Sequence, residues 1–393
     1  MTTPSSSPAA DRLIQLESYL RQDPDNAGLL QEAFGAALEA GLVDAAEFHL
    51  VHASRLGHDA WVWGLNGVHL DLARHRWDAA ARLASELRNA PGRPEAMLDA
   101  LDHALAYAEF RQGNWAAASE TLEPLLARAA ASGAPVAAAS QALALRIWHR
   151  CAQLDRALAW ARTRFDDGSL QPEAAGVASL IALDAGDFEA SHRWAGFSLT
   201  SGAVCAEALV AAASLATASR DAVNGQRFAR QALSLNADDG RSLSALGMAQ
   251  MLAGALPDAR NSFEAAVRTM PDHVGTWLAL GWSLLLMNDL NAALSAFEQA
   301  VALDRNFGEA HGGLAAVQAK LGQRDEALAS IERARRLDAT GLSFRYAQQV
   351  LDGGDLQGVH GLLPLARRLL GERQAPLGGT MADWLPPEDP VSR

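Results

Sequence analysis

An all-α fold, a solenoid of about nine tandem helix pairs with capping helices, is what the sequence predicts, and three observations carry that prediction. Gly240 to Gly341 divides into three consecutive 34-residue units with matching residue types in register. Within each unit the small and apolar signature residues recur one or two helical turns apart, so they share a helix face. Between units the chain is punctuated by Pro271, Asp304 and Asp338, where a helix is expected to stop. No such unit can bury its apolar face alone, so the units must stack.

The middle unit sets the pattern: Trp277, Leu280, Gly281 and Leu284, then Ala293, Phe297 and Ala300. One unit earlier these places hold Leu243, Leu246, Gly247, Gln250, Ala259, Phe263 and Ala266; one unit later, His311, Leu314, Ala315, Gln318, Ala327, Ile331 and Ala334. Gly281 and Ala293 are small where two backbones are expected to approach, with Trp277 and Phe297 filling the space beside them. A large residue, then Leu–Gly/Ala, then Ala–x3–Phe and a closing Pro on a 34-residue period resembles the tetratricopeptide repeat. The resemblance implies a right-handed α-solenoid that binds other polypeptides along its first helices.

Taken in order, residues 1–10 read as a flexible Ser/Pro/Thr-rich head with no basic or apolar signal segment. Residues 11–24 form an amphipathic capping helix carrying Leu13, Leu16 and Leu20, stopped at Asp23–Pro24–Asp25. Residues 27–131 hold an N-terminal block of three repeats, with Leu30, Ala33, Phe34, Ala46 and Ala53 in the first and Gly67, Ala80 and Ala84 in the second. The register slips at Pro91–Gly92–Arg93–Pro94, and Pro124 falls inside a long second helix of the third repeat, where a kink is expected. Ser132–Gly133–Ala134–Pro135 is the expected seam between blocks. Residues 138–341 hold six repeats without slippage, the sixth of the whole series degenerate at Gly225. Residues 342–371 suit two capping helices, one to about Asp352 and another from Leu356, and 372–393 a disordered, Pro/Gly-rich tail.

The chain carries 46 acidic and 33 basic residues, a net charge of −13, which argues against nucleic acid or an anionic membrane as the main partner. Lys320 is the one lysine among the basic residues, a bias that suggests GC-rich, bacterial coding. No run of apolar residues is long enough to span a bilayer. Cys151 and Cys205 lie in different repeats and read as free thiols. His49 and His52, three apart, read as incidental surface histidines, since no full set of metal ligands accompanies them. Neither a phosphate-binding glycine loop nor a catalytic constellation stands out, so no cofactor, no metal and no enzymatic activity are expected. The location that suits these features is the cytoplasm.

The family resemblance implies that the second, fifth, ninth, twelfth and thirteenth residues of each unit line a groove. In the C-terminal units that set is apolar and includes Val210, Met248, Met251, Leu278, Trp282 and Leu285; in the N-terminal units it is mixed and includes Tyr107, Arg111, Arg146 and Arg150. A groove anchored on Met248 and Trp282 fits an apolar or amphipathic segment of a partner protein, with the three arginines holding an acidic part of it. The expected role is a scaffold, adaptor or chaperone-like protein, with bacterial secretion or complex assembly as one version. A competing reading is a regulatory subunit whose groove is filled by its own tail segment around Trp384 and Leu385. RNA binding by a helical repeat is a third reading, disfavoured by charge.

Overall fold

The computed structural model describes residues 7–353 and divides into two compact units, 1–174 and 175–393. The second capping helix expected from Leu356, the expected tail and the Trp384–Leu385 segment lie outside the described residues. Every element of regular structure among the described residues is helical.

The first unit contains α1 (Pro8–Leu20), α2 (Ala27–Glu39), α3 (Val43–Arg55), α4 (Ala60–Ala73), α5 (Trp77–Asn89), α6 (Leu98–Arg111), α7 (Trp115–Ser132), α8 (Ala138–Arg150) and α9 (Leu154–Asp166). Helix α10 (Pro172–Asp184) begins at the division, so the two units part about one repeat later than the Ser132–Pro135 loop. The second unit continues with α11 (Phe188–Thr200), α12 (Ala206–Ala218), α13 (Ala222–Leu235), α14 (Gly240–Leu252), α15 (Leu256–Thr269) and α16 (Val274–Leu286). It closes with α17 (Leu290–Leu303), α18 (Gly308–Lys320), α19 (Arg324–Leu337) and α20 (Ser343–Leu351). This is an all-α repeat solenoid.

The turn between the two helices of a pair is the most regular feature. A residue with positive φ sits there at Gly41, His75, Gly113, Ala152, Gly186, Arg220, Gly254, Asn288 and Gly322. From Ala152 onward these residues are 34 apart; the two longer steps, across 75–113 and 113–152, fall around the Pro91–Pro94 loop and the long helix α7. Helix starts are capped by side chains, as in Asn26 to the Leu29 amide (3.0 Å) and Asp239 to the Ser242 amide (2.8 Å). Pro124 lies within α7, where its ring removes one backbone donor.

Helix pairs interlock through the signature residues. A Cβ at Gly281 would sit 2.8 Å from the Phe297 ring, and one at Gly247 would sit 2.7 Å from Phe263. The small residue therefore makes room for an aromatic ring, rather than for a second backbone as the pattern alone suggested. Phe297 also presses on the next unit, since a Cβ at Gly313 would run into its ring. In two units the large residue at the fourth place is tied to the unit before. Trp277 Nε1 donates to the Pro271 carbonyl at 2.7 Å, and His311 Nε2 meets the Arg305 carbonyl at 3.0 Å.

In the first unit α1 buries Leu13, Leu16 and Leu20 against α2. His49 on α3 is 3% exposed, so it is a buried residue and not the surface histidine expected from its spacing. Deeper along this unit Asp102 is fully buried and bridges Arg88 and Arg128, which joins α5, α6 and α7.

Candidate protein-interaction surface

In the second unit, successive first helices touch one another as well as their own partners: α12 meets α14, α16 meets α18, and α18 meets α20. That contact decides which of the expected groove residues reach the surface. Met248 on α14 is 40% exposed. Met251 on the same helix, with Leu278 and Trp282 on α16, is half-buried, and all three pack on one apolar cluster. The Trp282 ring stands edge-on to Phe297 at 5.5 Å and tilted to Tyr346 at 6.1 Å.

Val210 and Leu285 are only 4% and 2% exposed. They belong to the packing between helices and offer no lining to a ligand, which corrects their placement as groove residues. The last full unit is covered in the same way. Gly312, Ala316 and Ala319 on α18 are buried, and a Cβ at Gly312 would lie 2.5 Å from Ser343 of α20. The exposed strip is thus narrower than the periodicity implied: Met248, flanked by half-buried Met251, Leu252, Leu278 and Trp282.

In the first unit the structure gathers Tyr107 and Arg111 but gives each a neighbour. Tyr107 stacks on His103 with centroids 6.4 Å apart and meets Trp77 edge-on at 6.2 Å. Arg111 donates to the Tyr107 hydroxyl at 3.1 Å and lies 4.4 Å over the Trp77 ring. Arg150 lies 5.6 Å over Trp115, and Arg146 is paired with Glu173 at 3.1 Å. Burial pushes the His103 imidazole down to about 4, and its Nδ1 lies 3.0 Å from the Ser140 hydroxyl. His69 is also pushed down by burial. Both imidazoles are therefore neutral near pH 7, and the positive charge here is that of the arginines.

Among the described residues no group of three His, Cys, Asp or Glu is placed to hold a metal ion. Among the same residues no helix is long and apolar enough to cross a membrane. Cys151 and Cys205 form no disulfide, and Cys205 is buried with its Sγ 3.2 Å from Glu207.

The family model described as "Tetratricopeptide repeat" matches residues 284–348. Those residues are similar to the tetratricopeptide repeat in sequence, and the helix pairs on either side of them continue the repeat architecture. No curated protein sequence matches. Among solved structures, IFIT1, as a monomeric mutant with m7Gppp-AAAA, is 13% identical over 93% of this chain and 92% of its own, with a TM-score of 0.51. MamA is 17% identical over 40% of this chain and 92% of its own, at a TM-score of 0.35. YrrB, described as a TPR protein with an unusual peptide-binding site, is 16% identical over 49% and 99%, at 0.37. At these identities the IFIT1 likeness concerns the fold alone.

The sequence reading missed the Trp77–Arg111 and Trp115–Arg150 contacts. Their signal is a Trp followed by an Arg 34 or 35 residues later, which is visible only once the repeat is used as a ruler.

Proposed function

We propose that this protein is a non-catalytic scaffold or chaperone-like adaptor that holds an apolar or amphipathic segment of another protein against the first helices of its second unit. The observation that carries the reading is Met248, an exposed methionine among half-buried apolar neighbours on two adjacent first helices. Methionine adapts to irregular apolar shapes, and such a strip gains by being covered. An amphipathic helix presents the matching stripe. The net charge of −13 opposes a ligand as densely charged as nucleic acid, and the capped RNA in the IFIT1 structure is a property of that protein. A cytoplasmic role in secretion or complex assembly fits this reading.

The test is a titration of a fluorescent amphipathic helical peptide. Saturable binding is expected, weakened at least about tenfold by Met248→Glu, since a buried unpaired carboxylate costs well over ~1.4 kcal/mol. Val223→Glu, at a 79% exposed apolar residue elsewhere in the same unit, is expected to leave it unchanged. Equal weakening by both variants, with helicity preserved, would reject the surface.

A further inference from the structure

In the first unit two arginines occupy the same place in successive repeats. Arg111 and Arg150 are each the last residue of a first helix, α6 and α8, and each lies over the tryptophan that opens the preceding second helix, Trp77 of α5 and Trp115 of α7. Both arginines are exposed. Among the described residues neither has a carboxylate within ion-pair distance, in a chain whose acids outnumber its bases.

The preceding repeat shows what this edge does without the tryptophan. There Arg74, just past the end of α4, takes Glu47 at 2.7 Å and Asp44 at 2.9 Å, both on α3. In the next two repeats the guanidinium lies over an indole at the place where α3 has Val43, and the place of Glu47 is taken by Ala81 and Ser119. An indole face holds a guanidinium flat by attraction to its π-system but uses none of its N–H donors. Arg111 spends one donor on the Tyr107 hydroxyl. A guanidinium has five N–H donors in a planar fork that matches a carboxylate, so such a contact leaves donors over for a ligand.

We propose that Trp77–Arg111 and Trp115–Arg150 are two rungs of a binding site for an acidic peptide segment whose carboxylates are spaced one repeat apart. Charge complementarity selects the occupant: among the described residues the two guanidiniums have no carboxylate within ion-pair distance. A nucleic acid is disfavoured because its dense phosphates would face an overall acidic molecule. This inference builds on the reading of the chain as a protein-binding solenoid but uses a different surface. The site around Met248 can fail its own test while this one stands, and the reverse.

The probe is a fluorescent peptide of alternating Glu and Ala, titrated by anisotropy against the full chain at low and high salt. Saturable binding that weakens with salt is expected. Arg111→Gln and Arg150→Gln should each weaken it about tenfold, and Trp77→Leu, which frees Arg111 to reorient, several-fold. Arg76→Gln, an exposed arginine paired with Asp71, should leave it unchanged. The wild-type chain failing to bind the peptide, the Arg111→Gln/Arg150→Gln variant binding as tightly as wild type, or an oligouridylate binding more tightly than the peptide would each overturn the proposal.

Discussion

Ala152 turns the chain from α8 into α9 with φ at +56°, a conformation that costs an L-residue with a Cβ roughly 1–2 kcal/mol. Gly186, one repeat later, makes the same turn without that cost. Ala152→Gly is therefore expected to stabilise the first unit by about 1 kcal/mol, read as a higher urea midpoint; an unchanged or lower midpoint would contradict it. Glycines at such turns, as at Gly186, are legible from local propensity. Ala152 and Arg220 were not, because local propensity argues against them and only the period places them; Asn288 and His75 are types more often seen in this conformation. The Gly281–Phe297 pair was half legible. Sequence marks a small residue and a ring, but only coordinates show that one receives the other.

Helix α1 shows how an element's environment escapes its sequence. Its Leu13, Leu16 and Leu20 stripe identified it as a cap, but nothing in the His49–x2–His52 spacing told that His49 would be shut in nearby. Neither His49 ring nitrogen has a hydrogen-bond partner, and Glu17 of α1 stands 4.0 Å away. Burial pushes the imidazole below its ordinary 6.5, with Glu17 opposing and His52 assisting; His52 itself lies 3.3 Å from Asp25. A depressed histidine is protonated more readily in the open state. Its contribution is therefore full above pH 6.5 and is lost as pH falls below that value toward the folded-state pKa. The protection of α1–α3 against hydrogen exchange, corrected for the intrinsic exchange rate at each pH, should fall over that range, and His49→Leu should remove the step. A wild-type profile flat below pH 6.5, or a step that survives the substitution, would contradict this account.

For the chain as a whole, the repeat is both the source of stability and the reason the surface was harder to read than the core. Each repeat rests on its neighbours, so signature residues could be assigned by register, and Ala259, Phe263, Ala293 and Phe297 are all fully buried. The groove residues obey a different constraint. Whether Val210 or Leu285 faces solvent depends on how closely successive first helices approach, and that distance is not written in any single unit. Met248 emerged exposed while those two were sealed, and the apolar strip shrank to its surroundings.

The most direct measurement of the central claim is site-specific photocrosslinking with the amphipathic peptide, a photoreactive residue replacing Met248 in one protein and Val223 in another. The account predicts a peptide adduct from position 248, competed away by unlabelled peptide, and none from position 223. Adducts of equal yield from both positions, or none from 248 while the peptide still binds, would contradict it.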